Sequence, residues 1–198
     1  VNSRADTVTE SANQGADTVE SAIGYTLPAH VEKLILTGSS GTDGTGNALA
    51  NSLAGNGADN VLNGLAGNDA IDGGAGGDRI YGGEGNDLLS GGSGADRFYF
   101  TSSPGSANAD KILDFHAPSD SIHLARYAFA NLGAPGALNA SAFHKGTAAR
   151  DSSDRIVYDQ ASGKIFYDAD GTGSAAALLV ATVSAGTALT NADFIVYG

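Results

Sequence analysis

Apolar and polar positions repeat with a fixed period through the middle of the chain. From residue 46 to residue 99 the sequence divides into six consecutive units of nine residues, with no insertion and no deletion. Position eight of every unit is apolar, and this row consists of Leu53, Leu62, Ile71, Ile80, Leu89 and Phe98. Such a period is typical of a solenoid with stacked units. The alternative is a flexible Gly/Asp-rich linker, which the unbroken apolar row disfavours.

The other regular positions of the unit predict how each coil is built. Position one is Gly in every unit, and position six is always Asn or Asp. The position-six row consists of Asn51, Asn60, Asp69, Asp78, Asp87 and Asp96. The Gly-rich part predicts a turn with positive φ, and the three residues around position eight predict a short strand. Two units then complete one coil, so residues two units apart stack about 4.8 Å from each other.

This stacking predicts calcium between the coils. Two carboxylates at that separation repel by roughly 3 to 4 kcal/mol at an effective dielectric constant of about 20. Calcium would reverse the sign, and peptide carbonyls of the Gly-rich turns can complete its oxygen shell, whereas magnesium fits such a flexible cage poorly. Because the apolar row is one side chain wide, metal affinity would become folding free energy. The best pairs are Asp69 with Asp87 and Asp78 with Asp96; Asn60 with Asp78 and Asn51 with Asp69 are weaker candidates.

The nonapeptide resembles that of the RTX (repeats-in-toxin) calcium-binding proteins, most closely in the last three units, GGAGGDRIY, GGEGNDLLS and GGSGADRFY. The resemblance implies an all-β fold built on a right-handed parallel β-roll. It also implies that the position-six residues bind calcium together with peptide groups of the turns. These turn positions are Gly64, Gly67, Gly73, Gly74, Ala75, Gly76, Gly82, Gly83, Glu84, Gly85, Gly91, Gly92, Ser93 and Gly94. The Glu84 side chain points outward in that arrangement, and Asp59 and Asp72 are expected to be solvated.

The segment before the repeats predicts short strands that cover the first coil. The sequence ADTV occurs at residues 5–8 and again at 16–19, and both copies predict a strand. Residues 31–37 form a third strand-like segment, and residues 38–46 are rich in Gly and Ser and predict a turn. Similar lead-ins occur in large secreted RTX proteins. The alternative for this segment is a loosely ordered linker.

After the repeats the composition is that of a globular β domain. The blocks DKILDF at 110–115 and DSIHL at 120–124 resemble those that follow the roll in serralysin-type metalloproteases. That resemblance implies that Asp110 and Asp120 close the last calcium sites; Asp114 is either a ligand or a turn former. The pattern further predicts a hairpin over 155–168, a strand near 178–183, a last strand at 189–198, and a helical turn or two from residue 126 to 131.

Two further patterns in this part resemble metal sites but lack essential features of them. The sequence DADG at 168–171 resembles the start of an EF-hand loop, but its Gly comes too early and the final Glu is missing. A tight Asx turn is therefore favoured over a weak calcium site. His116, His123 and His144 are scattered, so the sequence predicts surface histidines and no zinc site.

Composition narrows the function classes. The chain has 198 residues, 29 Gly and no Cys, and its formal net charge is −12. Without Cys the chain can form no disulfide, and its negative charge disfavours nucleic acid and anionic membranes as partners. No apolar run is long enough to span a bilayer. Without GxSxG, HExxH or another catalytic motif, the sequence predicts no enzyme and no catalytic residue.

These observations predict three parts: a strand stack at 1–45, the roll at 46–103 and a β cap at 104–198. Since the first residue is Val rather than Met, we expect a fragment of a larger protein. The resemblance implies a secreted or cell-surface calcium-binding module that folds from its C-terminal end when calcium binds. It also implies the type I secretion apparatus as a partner, because residues 189–198 resemble its export signal. The alternative is an adhesin or surface-layer module that self-associates through calcium.

Overall fold

The computed structural model describes residues 1–3, 6–12 and 15–198. Within these residues the chain is almost entirely β-structure, with two 3₁₀ turns at Ala140–Ala142 and Asn191–Asp193. The strands are β1 (Thr18–Ser21), β2 (Tyr25–Thr26), β3 (Lys33–Leu36), β4 (Asp43–Thr45), β5 (Ser52–Ala54), β6 (Val61–Ala66), β7 (Ala70–Asp72), β8 (Arg79–Glu84), β9 (Leu88–Ser90), β10 (Arg97–Phe100), β11 (Asp110–Ile112), β12 (Ser121–Ala125), β13 (Gly136–Ala137), β14 (Phe143–Lys145), β15 (Ile156–Asp159), β16 (Lys164–Tyr167), β17 (Leu178–Thr182) and β18 (Phe194–Tyr197).

Successive strands of the repeat alternate between two sheets. In the described part of the chain, one sheet has ten strands in the order β1-β3-β5-β7-β9-β11-β17-β16-β15-β14. The other has eight strands in the order β13-β18-β12-β10-β8-β6-β4-β2. Each unit adds one strand, and its Gly-rich turn redirects the chain to the opposite sheet. Both sheets are parallel throughout the repeat, as the sequence predicts.

The register confirms that two units make one coil. Leu53 pairs with Ile71, and Ile71 pairs with Leu89 along the ten-stranded sheet. In the eight-stranded sheet Leu62 pairs with Ile80 in the same way. Partners are therefore 18 residues apart, and the all-β parallel roll predicted from the period is the fold observed.

The core lies between the two sheets. All six position-eight side chains are at most 2% exposed, and they continue into one buried apolar cluster that runs from Val19 to Val196. Each buried Leu, Ile or Phe contributes about 1.5–3 kcal/mol. The same two sheets and the same core pass through all three predicted parts, whose boundaries stay a prediction.

The region before the repeats differs from the prediction in two places. Residues 6–8 of the first ADTV copy form no strand, and residue 5 lies outside the described residues. Residues 38–46 are not all turn, because they include strand β4. The reason is Gly44, which faces inward where a β carbon would approach the side chains of Leu34 and Leu62 to 3.0 Å. The strand therefore has no apolar side chain that the sequence could reveal.

The cap extends the roll before it changes direction. Strands β11 and β12 continue the two parallel sheets, after which β15, β16 and β17 pair antiparallel; the predicted hairpin at 155–168 is confirmed. The predicted helical turns at 126–131 amount to a single turn, in which the N–H groups of Ala128 and Phe129 donate to the carbonyl of Ala125, and the segment ends with Asn131 at φ 63°. This path buries Phe129, whose ring lies edge-on to Tyr167 at 5.4 Å.

Candidate metal centre

The position-six carboxylates lie inside the coils rather than in solvent. Asp69, Asp78, Asp87 and Asp96 are each at most 2% exposed, immediately before strands β7 to β10. One oxygen of each is fixed by the preceding coil. The backbone N–H of Asn51 donates to Asp69 Oδ1 at 2.7 Å, and the same bond recurs at 2.8 Å from Asn60 to Asp78, Asp69 to Asp87 and Asp78 to Asp96.

Two carboxylates of the cap continue the rows of position-six residues, one row along each sheet. The backbone N–H of Asp87 donates to Asp110 Oδ1, and that of Asp96 donates to Asp120 Oδ1, both at 3.1 Å. Asp110 and Asp120 are buried, so they occupy the positions that further repeat units would have filled. Asp114 is different. Its carboxylate accepts hydrogen bonds from Ser90 Oγ and from the backbone of the following turn, which holds that turn in place.

The second carboxylate oxygen has no partner. The Oδ2 atoms of Asp69, Asp78, Asp87 and Asp96 are buried without a hydrogen bond. Each lies against the position-one Gly of its own unit, so that a β carbon on Gly73, for example, would overlap Asp78 Oδ2. The carbonyl oxygen of Gly91 would be only 2.7 Å from that same β carbon. A carboxylate oxygen and a peptide oxygen therefore converge on a space that only Gly leaves open.

Burial disfavours the charged form of these groups when no cation is present. It raises the pKa of Asp69 and of Asp78 to about 6, and the neighbouring carboxylates of Asp87 and Asp96 add to the effect. The pKa of Asp110 is raised further, to about 8, by deeper burial and by the charge of Asp87. These acids are thus held where a negative charge is costly, and a cation would relieve that cost.

The two Asn positions close the first coil with direct hydrogen bonds. The side-chain nitrogen of Asn60 donates to the carbonyl of Thr42 at 2.7 Å, and that of Asn51 donates to Asn47 Oδ1 at 3.2 Å. Here an amide N–H fills the place that a carboxylate and a cation would share further along. Calcium binding by Asn51 and Asn60 stays a prediction.

The peptide oxygens predicted as ligands remain available. Three of them, on Gly74, Glu84 and Ser93, accept a hydrogen bond from another coil, and a carbonyl oxygen has a second lone pair. The side chain of Glu84 is exposed, as are those of Asp59 and Asp72. Solvated side chains at these three positions agree with the expected outward orientation.

The residues present fit calcium. Hard oxygen donors, unpartnered carboxylate oxygens and space beside Gly are what this ion requires, and it takes six to eight ligands. Among the described residues no three Asp, Glu, His or Cys side chains cluster around one point. Two carboxylates from successive coils, completed by peptide oxygens, stay the predicted ligands.

The cap patterns give no comparable arrangement. Asp168 Oδ1 accepts the backbone N–H groups of Asp170 and Gly171, which is the predicted Asx turn. His116 is exposed, but His123 is half-buried in a row of aromatic rings rather than free on the surface. Sequence reasoning missed that row, although Tyr81 and Tyr99 occupy position nine of two units and signal it.

A comparison with protein-family models agrees with this geometry. A family model described as the RTX calcium-binding nonapeptide repeat matches residues 45–80 and 72–102. No curated protein matches the chain. Among solved structures, the solution structure of the AlgE6R3 subunit from the Azotobacter vinelandii mannuronan C5-epimerase is 22% identical, covers 96% of this chain and 84% of that chain, and has a TM-score of 0.33.

The family match describes a calcium-binding repeat rather than a catalytic domain. In the described residues, no helix has the length and apolar character needed to cross a bilayer. RTX nonapeptide repeats bind calcium ions, so calcium is the ion for these carboxylate rows. Residues 45–102 match the RTX calcium-binding nonapeptide repeat, and this part of the chain is a calcium-binding module built on a parallel β-roll.

Proposed function

We propose that the chain is an extracellular module that folds on binding calcium and that supports export and folding of a larger bacterial protein. The observation that carries this proposal is the set of buried Oδ2 atoms on Asp69, Asp78, Asp87 and Asp96 that have no partner. Unpartnered buried carboxylates destabilise a fold unless a cation joins them. The roll would therefore be unstable where calcium is scarce and stable where it is abundant.

The chain's own groups prepare each site. Backbone N–H groups hold Oδ1 and so orient Oδ2 toward the position-one Gly. Calcium would supply the positive charge between successive coils. Neutralised rows allow the strands to close over the apolar row, and Asp110 and Asp120 allow the cap to join the last coil. Extracellular calcium modules typically bind at about 10⁻⁴ to 10⁻³ M, which suits folding outside the cell.

A calcium titration followed by far-UV circular dichroism tests the folding step. We expect β signal to appear cooperatively with calcium and not with magnesium. Asp78→Ala removes a ligand shared by two predicted sites and should raise the calcium midpoint about tenfold, since a hydrogen bond or contact to a charged group contributes on that order. Glu84→Gln is the matched control, because it removes the same charge from an exposed side chain.

Two results would contradict the folding step. A chain that is fully folded in chelator would show that calcium is not needed for the fold. An Asp78→Ala midpoint equal to that of Glu84→Gln would show that the position-six carboxylates are not the ligands.

The position of β18 bears on the proposed export step. Phe194 and Val196 are at most 1% exposed and pair with β12 in the eight-stranded sheet, so residues 189–198 are accessible as a signal only before folding. We expect a cell with a type I apparatus to export the chain, and to stop exporting it when residues 189–198 are deleted. Export that survives the deletion would contradict this assignment.

Self-association at a cell surface is the second candidate. On the outer face of the ten-stranded sheet Leu88 and Leu113 are 47% and 45% exposed and line one groove. A second copy of the chain would cover them. Sedimentation with calcium should then show oligomers that the Leu88→Ser/Leu113→Ser double variant lacks, and a monomer at all concentrations would exclude this role.

A further inference from the structure

The outer face of the eight-stranded sheet carries two parallel rows of side chains. Arg79 on β8 pairs in register with Arg97 on β10. Two residues further along, Tyr81, Tyr99 and His123 pair in register across β8, β10 and β12. The inward neighbours of these residues are buried, so both rows face outward. Neighbouring groups in each row are one strand apart, about 4.8 Å at the backbone.

The two arginines have no partner in the protein. In the described residues the ion pair present joins Arg150 to Asp151, and the side chains of Arg79 and Arg97 take part in none of the hydrogen bonds or ion pairs of the structure. Asp43 lies in the same row but two strands from Arg79, with Val61 between them. Like charges one strand apart repel. In a chain of net charge −12, this unpaired cationic pair is a place for an external anion.

The aromatic row is continuous and carries polar atoms. The Tyr81 and Tyr99 rings stack at 4.4 Å, and the Tyr99 and His123 rings are 4.5 Å apart. Tyr197 lies edge-on to Tyr99 at 5.4 Å, and its hydroxyl oxygen is buried without a hydrogen-bond partner. Tyr127, which is 76% exposed, borders the same cluster. The row therefore offers partly exposed ring area together with the phenol groups of Tyr81 and Tyr99.

We infer that this surface binds an acidic polysaccharide, a polymer of sugars that carry carboxylates. Guanidinium groups bind carboxylates through paired hydrogen bonds, and phenol hydroxyls both donate to and accept from sugar hydroxyls. The rows cross the strands, so they suit an extended polymer with carboxylates at a similar spacing. Duplex nucleic acid carries a charge about every 1.7 Å, which is denser than one carboxylate per sugar, so the rest of this acidic chain would repel nucleic acid more strongly than the polysaccharide. An acidic peptide offers few hydroxyl groups to the phenols.

Isothermal titration of the calcium-loaded chain with a short uronic acid oligosaccharide tests the inference. The control ligand is the same oligosaccharide with its carboxyl groups reduced to alcohols, at equal free calcium. The Arg79→Gln/Arg97→Gln variant should weaken binding about tenfold or more, because each charge-assisted hydrogen bond contributes on that order. Arg150→Gln, which removes the same kind of charge from the cap, should bind like the wild type. Tyr81→Phe should weaken binding and leave the calcium titration unchanged.

Each other result would overturn the inference. No binding of the uronic acid oligosaccharide excludes the ligand class. Equal binding of the reduced oligosaccharide shows that carboxylates are not recognised. Equal loss in Arg150→Gln shows a general charge effect, and equally tight binding of a glutamate oligopeptide shows a protein partner instead. All variants must first show the wild-type calcium midpoint by circular dichroism, which separates this surface from the calcium sites.

Discussion

The two carboxylate oxygens of each position-six Asp have different surroundings. Oδ1 accepts a backbone N–H and fixes the register of the next coil, whereas Oδ2 remains free beside a Gly. Asn60 does neither: its Oδ1 accepts the N–H of Asn56 within its own unit, and its side-chain nitrogen donates to the carbonyl of Thr42. The change from Asn to Asp along the row therefore marks where direct hydrogen bonding ends and the need for a cation begins.

Space beside the position-one Gly is a separate requirement, and one substitution tests it. Gly73→Ala would place a β carbon against Asp78 Oδ2 and 2.7 Å from the Gly91 carbonyl. Gly73 does not have a positive φ, so backbone conformation is not at issue. We expect a loss of about 1–3 kcal/mol from overpacking and a higher calcium midpoint by circular dichroism. Gly57→Ala is the control, because nothing lies within 4 Å of its β carbon. Equal midpoints would show that this space is not part of the site.

His123 is a residue whose ionisation opposes the fold. Its ring packs between those of Tyr99 and Tyr197, and the charges nearest to it are Arg97 and Arg79. Burial, with repulsion from the two arginines, lowers the pKa of His123 to about 4. An unfolded His binds a proton near pH 6.5, so the unfolded chain holds more protons than the folded chain between these values. Its contribution to stability is complete above about pH 6.5 and declines as the pH falls toward 4.

This pH dependence can be isolated in saturating calcium. We expect the free energy of unfolding in urea to decrease from about pH 7 to about pH 5, and to decrease less in His123→Gln, because Gln cannot take up the proton. His116→Gln changes an exposed residue and should keep the wild-type dependence. If the two variants behave alike, ionisation of His123 does not limit stability.

At the scale of elements, the period predicts much of the fold because one residue type is needed at one place in every coil. Gly at position one and an apolar residue at position eight are both forced by geometry, so strand register is readable directly. Strand β4 was not readable, since its inward residue is Gly44. The aromatic row was only half readable, because His123 and Tyr197 reach it from the cap, outside the repeat. The lack of a hydrogen-bond partner for the Oδ2 atoms could not be predicted from the sequence, because it depends on the three-dimensional arrangement of the turns.

The order of folding along the coils is testable by hydrogen exchange. Asp pairs with raised pKa values lie between β7 and β12, whereas the side chains of Asn51 and Asn60 make direct hydrogen bonds to the earlier part of the chain. We expect amides of β7 to β12 to exchange rapidly in chelator and to gain protection cooperatively as calcium rises. Protection of these strands should appear at lower calcium than protection of β3 to β5, because the cap supplies their last acids. Protection that spreads from β1 instead would contradict folding from the C-terminal end.

At the scale of the whole molecule, neither sheet is interrupted where the composition changes. Strands β9 and β11 pair across the junction of roll and cap, and β3 and β5 pair across the junction with the lead-in. The apolar cluster crosses both junctions as well. In a stack of repeats each unit is stabilised mainly by contacts with its nearest neighbours, so the cooperativity of unfolding depends on the strength of each junction. Here every junction is a backbone ladder over a shared core.

Unfolding in saturating calcium should therefore be a single transition. The seven Tyr residues lie mainly in the later part of the chain, so their fluorescence reports on the roll and cap, while far-UV circular dichroism reports on all strands. We expect the two urea curves to coincide, because a shared core makes partial unfolding costly. The Asp110→Asn variant removes the acid through which the cap joins the first row and should lower both midpoints together. If the fluorescence curve instead separates from the circular dichroism curve, the cap folds as its own unit, and the boundary predicted at residue 103 would be a thermodynamic boundary as well as a compositional one.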